Sequence, residues 1–281
     1  MMPSMALTLA IACGGALRTA TTPARVVAIG DIHADPASLR VVLQMAGLTG
    51  ADGHWSGGTT TMVQTGDITD RGPDSHGVMA ILRQLQEEAG KAGGRVIPLL
   101  GNHEVMNVIG DVRYVSAEDY ASYGGEAART EAFGPSGEDG RWLRKLDAVA
   151  RVGRTIFLHG GLDANWAGFG TDGINAMVRA IMLVDGASRD VYGPDGPLWN
   201  RVYLLAEPPV ACPELEKALT SLGADRMVIG HTTQESGRIA SRCGGRLYGI
   251  DTGISAFYGN HYAALEIVAD TVREIYPTAA P

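Results

Sequence analysis

Short apolar runs alternate with amphipathic segments along the first third of the chain. Runs rich in β-branched residues predict strands at residues 25–30, 61–66 and 95–100. Residues 36–48 and 75–93 carry apolar side chains at helical spacing, and Pro36 suits the first turn of a helix. This alternation of strand and helix predicts a parallel sheet with helices packed against it.

The pattern changes in the middle of the chain. Residues from about 112 to 150 are richer in charge and glycine, and they predict short helices in a cap inserted into the fold. Further short strands are predicted at residues 154–161, 226–231, 246–251 and 262–268. Because no long helix is evident between the last of these, we expect them to form a second, mostly antiparallel sheet. The sequence therefore predicts a single α/β domain over residues 25–281, built as a two-sheet β-sandwich flanked by helices.

Composition limits the classes of partner. The chain has 281 residues, of which 45% are hydrophobic, and a formal net charge of −8. A broad nucleic-acid surface needs clustered lysine and arginine, so we expect no nucleic-acid partner. No run reaches about 18 apolar residues, so no transmembrane helix is predicted. An acidic protein can still bind phosphate locally.

The first 24 residues form a separate question. The apolar run "MALTLAIACGGAL" at residues 5–17, followed by small residues, predicts an export signal, with a lipid anchor at Cys13 as one form of it. The alternative is a frayed N-terminal segment on a cytoplasmic protein. In an exported protein Cys212 and Cys243 remain as an even pair, which either forms a disulfide or stays as two buried thiols.

Four of the seven histidines follow one pattern. Each lies within about three residues of the end of an apolar strand and beside a glycine, in the segments "AIGDIH", "LLGNH", "IFLHGG" and "VIGH". The residues are His33, His103, His159 and His231. A single histidine at a strand end is usually structural, but four of them by that route are improbable. We therefore expect a functional cluster.

Carboxylates follow the same strands. Asp31 precedes His33, Asp67 closes "MVQTGD", and Asp70 lies three residues further on. Parallel strands deliver their carboxyl-end loops to one side of a sheet, so these groups converge. The convergent donors are Asp31, His33, Asp67, Asn102, His159 and His231. Such oxygen and nitrogen donors suit Mn²⁺, Fe or Zn²⁺. Six donors exceed one tetrahedral site, so we expect two metals with Asp67 bridging them.

Two metals roughly 3.5–4 Å apart suit in-line displacement at phosphorus by a bridging hydroxide. The sequence contains neither a Gly-x-Ser-x-Gly elbow nor a Walker lysine motif, which agrees with a mechanism that needs no side-chain nucleophile. Arg71 in "GDITDRG" and Arg201 in "PLWNR" are candidate phosphate clamps, because a guanidinium donates in pairs to phosphate oxygens.

These blocks resemble the phosphoprotein phosphatase family of the calcineurin-like metallophosphoesterases. "GDIHAD", "GDITDRG", "GNHE", "HGG" and "GH" occur in order between residues 30 and 231. "GNHEVMNVIGDVRYV", "GPLWNR" and "IDTGIS" further resemble its Shewanella-like phosphatase branch. One departure is Ala34, where glycine is common, and we expect this methyl group to be tolerated.

The resemblance implies a role for each residue and a fold with α-β-β-α layers. Asp31, His33 and Asp67 match the ligands of the first metal, and Asn102, His159 and His231 match those of the second, with Asp67 shared. His103 matches the general acid, Asp70 its orienting carboxylate, and Arg71 and Arg201 the phosphate clamps. The implied activity is phosphoprotein hydrolysis at Ser/Thr or Tyr phosphate. The alternatives are a hydrolase of dinucleoside polyphosphates or other small phosphates, and a non-catalytic metal-binding domain.

Overall fold

The computed structural model describes residues 24–184 and 190–278. Apart from Ala24, the predicted export segment lies outside the described residues. The strands are β1 Arg25–Ile29, β2 Thr61–Gln64, β3 Arg95–Pro98, β4 Val149–Val152, β5 Thr155–Leu158, β6 Arg226–Ile229, β7 Ala240–Arg242, β8 Leu247–Gly249, β9 Ala264–Val268 and β10 Thr271–Ile275. The helices are α1 Pro36–Met45, α2 Ser75–Lys91, α3 Asn102–Val108, α4 Ala117–Ser122, α5 Glu126–Phe133, α6 Glu138–Leu143, α7 Ala164–Ala167, α8 Gly170–Leu183, α9 Val202–Leu205 and α10 Pro208–Leu222.

The strands form two five-stranded sheets, in the orders β10-β9-β1-β2-β3 and β4-β5-β6-β8-β7. In the first sheet β1, β2 and β3 are parallel, as predicted. The strand β9 was assigned to the second sheet by the sequence pattern, and that prediction is wrong because β9 pairs with β1 in an antiparallel manner.

The second sheet is mixed, so the prediction of a mostly antiparallel sheet is also wrong. The pairs β5/β6 and β6/β8 are parallel, whereas β4/β5 and β7/β8 are antiparallel. A parallel pair needs a long crossover connection. Helices α7 to α10 provide it between β5 and β6, where the sequence pattern predicts one helix and loops, and α8 and α10 are the long ones.

Two apolar layers hold the sheets and helices together. One side chain set comes from strands of both sheets, including Val26, Ala28, Phe157 and Val228, and fills the space between them. The residues that alternate with these along the same strands, such as Val27, face the opposite side of each sheet. They pack against helices in a second and larger core. Alternation along each strand thus builds four layers, and the predicted two-sheet sandwich flanked by helices is confirmed.

Helix caps fix the loops that leave the first sheet. Asp35 accepts a hydrogen bond from the Ser38 amide at 2.9 Å at the start of α1, and Pro36 stands in its first turn as predicted. The helix ends at Met45, before the predicted limit. The predicted cap contains α4, α5 and α6, while its last residues belong to β4. Among the described residues no helix is long and apolar enough to cross a membrane.

One covalent bond ties the second sheet to its helices. Cys212 of α10 and Cys243, which follows β7, form a disulfide with a Cα–Cα distance of 5.4 Å. Of the two alternatives for this pair, the structure has the disulfide. It joins the β7–β8 hairpin to α10.

Candidate metal centre

The predicted site residues meet where the parallel strands end. The loop after β1 carries Asp31 and His33, the loop after β2 carries Asp67, Asp70 and Arg71, the first turn of α3 carries Asn102 and His103, and the loops after β5 and β6 carry His159 and His231. Arg201 precedes α9. The carboxylates, imidazoles and Asn102 are buried, whereas Arg201 is exposed. The structure therefore brings all ten residues to one region.

The backbone of these loops is strained. Nine non-glycine residues in the described part of the chain have a left-handed backbone, and six of them lie in the site loops, namely His33, Ala34, Asp67, Asp70, Arg71 and His231. A left-handed conformation is unfavourable for a residue with a Cβ, so the surrounding structure has to impose it. Ala34 has φ +54°, which explains why glycine suits this position.

Asp67 lies at the centre of two donor clusters. Its Oδ2 is 3.7 Å from His33 Nε2, and its Oδ1 is 3.2 Å from His159 Nε2. Donor atoms of His33, Asp67 and His103 lie within 4.8 Å of one another, as do those of Asp67, His159 and His231. One oxygen of Asp67 thus faces each cluster, which is the arrangement that a bridging carboxylate needs.

The first cluster differs from the set that the resemblance implies. His103 stands in it, but its Nδ1 is 2.7 Å from an oxygen of Asp70. The Asp31 carboxylate lies towards the second cluster, where it accepts a hydrogen bond from the His231 amide at 3.0 Å and lies 4.0 Å from His159 Nδ1. The assignment of Asp31 to one particular metal stays a prediction.

The surroundings of His159 fit a cation. Its Nδ1 lies 2.9 Å from the Thr65 carbonyl oxygen, which can only accept, so Nδ1 carries the proton. In the neutral imidazole Nε2 then has a lone pair. Nε2 faces Asn102 Oδ1 at 2.9 Å and Asp67 Oδ1 at 3.2 Å, two further acceptors. Three lone pairs directed at one another are repulsive unless a positive charge lies between them. That charge is either a proton on Nε2 or a cation in its place, so these residues fit a metal ion.

Burial favours neutral imidazoles at the other two histidines. It lowers the pKa of His33 to about 4 and that of His231 to about 2. Neutral imidazole is the form that binds metals. Burial raises the pKa of Asp67, but the imidazoles of His159 and His103 outweigh it and hold that pKa well below its usual value. Burial, Asp251 and Asp67 raise the pKa of Asp31.

Glu104 braces the central loop. Its carboxylate accepts hydrogen bonds from the amides of Asp67, Ile68, Thr69 and Gly101 and from the Thr69 hydroxyl, at 2.7–2.9 Å. Gly101 itself has φ −98°, which any residue adopts, but a Cβ there would lie 2.2 Å from Asp67 Oδ1. Glycine is therefore needed at position 101 because there is no space for a Cβ beside Asp67. The glycine in "LLGNH" does not mark a left-handed turn.

His103, a member of the first cluster, also forms a pair with Asp70. We call it the proton-donor pair. Burial lowers the pKa of His103, but Asp67 and the hydrogen bond to Asp70 outweigh it and raise the pKa. His103 Nε2 lies 3.8 Å from Asp67 Oδ2, so this nitrogen faces the metal clusters. A protonated imidazole held in this way can deliver a proton to a group bound there.

Two arginines and several aromatic rings line the cavity above the clusters. The guanidinium carbon of Arg71 lies 3.9 Å from the centre of the Tyr114 ring, and its buried Nε has no hydrogen-bond partner among the residues that the structure describes. Arg201 donates to the His231 carbonyl oxygen and lines the same cavity. Tyr114 and Trp199 also wall a neighbouring cavity of about 330 Å³, so a group bound at the clusters can extend between aromatic side chains.

Sequence reasoning missed two buried polar residues near the site. Asp251 follows β8 in "LYGID" and accepts from the Thr233 hydroxyl at 2.6 Å. It obeys the same strand-end pattern as Asp31 and could have been found by it. Asn107 lies one helical turn after His103 and donates to Asp70 at 2.8 Å. The helical spacing between His103 and Asn107 in "GNHEVMN" is a sequence signal for Asn107, but the motif alone does not indicate the function of that residue.

Comparison with known proteins identifies the family of this chain. The family model described as calcineurin-like phosphoesterase matches residues 24–235. Shewanella-like protein phosphatase 2 of Arabidopsis thaliana is 33% identical over 83% of this chain and 72% of its own length. Shewanella-like protein phosphatase 1 of Plasmodium berghei is 33% identical over 85% and 70%. The crystal structure of a cold-active protein-tyrosine phosphatase of a psychrophilic Shewanella species is similar, with a TM-score of 0.79 and 28% identity, and covers 90% of this chain and 77% of that one.

Proposed function

Because the chain belongs to the calcineurin-like phosphoesterase family and is a metal-dependent phosphoester hydrolase, we propose that it removes phosphate from phosphoproteins. The observation that carries this proposal is the placement of the two donor clusters on the two oxygens of Asp67, beside the proton-donor pair and Arg71. Two divalent ions held there, Mn²⁺ in our proposal and Fe or Zn²⁺ as alternatives, would neutralise phosphate charge and activate water.

The side chains of this chain then have distinct tasks. Arg71 and Arg201 bind the phosphate oxygens from the cavity side, and Arg71 brings a buried donor with no other hydrogen-bond partner in residues 24–184 and 190–278. The water oxygen bonds to phosphorus as the ester P–O bond breaks. His103 gives the proton of its Nε2 to the leaving oxygen, while Asp70 holds Nδ1 at 2.7 Å.

The aromatic cavity next to the clusters supports a phosphotyrosine or another aryl phosphate as substrate. Tyr192 and Trp199 meet there edge to face, with ring centres 5.8 Å apart. Dinucleoside polyphosphates would need cations for further phosphate groups. In the described part of the chain, the neighbouring cavity offers Arg113, whose guanidinium is already paired with Asp111 at 2.7 Å. The relatives named above as protein phosphatases also favour the phosphoprotein.

A substrate comparison tests the proposal. Purified, Mn²⁺-loaded protein is given phosphotyrosine, phosphoserine and phosphothreonine peptides and diadenosine tetraphosphate, and kcat/KM is measured for each. We expect the highest value with the phosphotyrosine peptide. A higher value with diadenosine tetraphosphate than with every peptide would contradict the proposal. Arg71→Met is the matched control, and it should lose activity towards all four compounds.

We also propose export from the cytoplasm. The Cys212–Cys243 disulfide supports this proposal, because disulfides persist in oxidising compartments. The test is a count of reactive thiols in denatured, unreduced protein purified from its native host, with a reduced sample as the control. Cys212 and Cys243 should be unreactive, and two reactive thiols from this pair would contradict the proposal.

A further inference from the structure

The proton-donor pair is held from behind by a buried arginine of the cap. Arg129 of α5 is only 1% exposed, which is rare for an arginine. Its Nε donates to Asp119 of α4 at 2.8 Å, and its guanidinium carbon lies 4.2 Å from the centre of the Phe133 ring. Asp119 is itself fixed, because its two oxygens accept from the amide and the hydroxyl of Ser75 at 2.6 and 2.9 Å.

Arg129 determines the orientation of an amide between itself and Asp70. Its Nη1 donates to Asn107 at 2.7 Å. Because a guanidinium has no acceptor, the oxygen of the Asn107 amide has to face it. The amide nitrogen then points the other way and donates to Asp70 Oδ1 at 2.8 Å and to the His103 carbonyl oxygen at 2.9 Å.

Asp70 thereby has a separate partner for each oxygen. Oδ1 accepts from Asn107, and Oδ2 lies 2.7 Å from His103 Nδ1. The remaining nitrogen of Arg129, Nη2, makes no hydrogen bond within the described residues and lies 3.5 Å from Asp70 Oδ1. The carboxylate is therefore fixed in rotation and lies beside a positive charge. It needs such support, because Asp70 has a left-handed backbone with φ +69°.

We propose that Asn107 and Arg129 are positioning residues that hold Asp70, and through it His103, in the orientation for proton donation. The proposal rests on the proposed function of His103 as the general acid. It gives the cap, residues about 112–150, a task in the chemistry, since α4 and α5 supply Asp119 and Arg129. Neither residue is a donor of the metal clusters, so both act on the leaving group through Asp70 and His103.

The test uses two esters with different leaving groups. Phenyl phosphate releases a basic phenolate that needs a proton, whereas p-nitrophenyl phosphate releases a weak base that needs it much less. In Arg129→Met we expect kcat for phenyl phosphate to fall about 10- to 100-fold, the range for losing an outer-shell partner, with KM little changed. The fall for p-nitrophenyl phosphate should be several-fold smaller. Asn107→Ala should behave in the same way, and it serves if Arg129→Met does not fold.

A double variant separates positioning from general damage. If Arg129 acts through His103, adding Arg129→Met to His103→Asn should cause almost no further loss. The matched control is Arg83→Met, because Arg83 pairs with another buried cap carboxylate, Asp139, at 2.7 Å. It should leave the ratio between the two esters unchanged.

Three results would overturn the proposal: equal losses on both esters, an undiminished loss in the His103→Asn background, or loss of bound metal from Arg129→Met. Failure of the proposed general acid looks different, because His103→Asn by itself would then show equal losses on the two esters. That variant belongs to the same series and distinguishes the two failures.

Discussion

The metal clusters and the proton-donor pair lie side by side, but different structures hold them. The clusters sit on strand-end loops that are fixed by residues following the neighbouring strands, as where Glu104 accepts hydrogen bonds from four backbone amides and Gly101 leaves space for Asp67. His103 and Asp70 depend on Asn107 of α3, which Arg129 of the cap holds in its orientation. The donors for metal are thus built by the sheet edge, whereas the orientation of the acid is set by an insertion. This difference predicts that variants on the two sides fail in different ways.

The strongest way to break the metal side is Asp67→Asn. Each oxygen of Asp67 faces one cluster, so replacing one oxygen by an amide nitrogen should weaken both at once. We expect the affinity for metal to fall at least about 100-fold, the upper end of the range for outer-shell changes. The measurement is metal content per chain after gel filtration. Asp147→Asn, a half-exposed carboxylate paired with Arg179, is the control, and two tightly bound ions in Asp67→Asn would refute the bridging role.

The proton-donor side is broken by His103→Asn. Turnover should fall by about 10²–10⁴-fold, the range for losing general acid catalysis, while both metals stay bound. The loss should be smaller for p-nitrophenyl phosphate, whose leaving group needs less help. Steady-state rates on two esters together with metal content decide this, and equal losses on both esters would argue against the general acid.

Glu104→Gln sharpens the comparison, because it weakens the hydrogen bonds that hold the Asp67 loop and keeps every metal-binding side chain. One oxygen that accepts backbone amides becomes an NH₂ group that faces them, so we expect about 1–3 kcal/mol lower stability. Activity should fall about 10- to 100-fold through a displaced Asp67 loop, with the same factor on both esters. Urea unfolding and rates measure the two effects. Glu266→Gln, on β9 and paired with Arg25 and Arg273, is the control. A loss that depends on the leaving group would place Glu104 with the proton-donor pair instead.

The smallest effect is expected from Ala34→Gly. Glycine relieves the left-handed backbone at this position, which costs about 1–2 kcal/mol for a residue with a Cβ. It also increases the entropy of the unfolded chain, by about 0.4–1 kcal/mol. We therefore expect a net stabilisation of about 0–1.6 kcal/mol and unchanged rates. Urea unfolding measures it, and a clear destabilisation would mean that the alanine methyl group packs usefully against its neighbours.

The strand-end pattern of the site and the order of the first sheet's parallel strands could be predicted from the sequence alone. Three apolar runs followed by glycine and polar residues predicted β1, β2 and β3 and the loops of Asp31, Asp67 and Asn102, because a parallel sheet sends those loops to one edge. His159 and His231 obey the same rule on the second sheet. These predictions needed only local pattern and one topological rule.

Only the tertiary structure decided the rest. The pairing of β9 with β1, the parallel pairs of the second sheet and the Cys212–Cys243 bond depend on long-range contacts that short runs do not encode. The same holds for Arg129, which looks like any charged residue of a short helix in the sequence. Its task follows from burial against Phe133 and from hydrogen bonds to Asp119 and Asn107, so it appears only when the cap is folded onto the sheet edge.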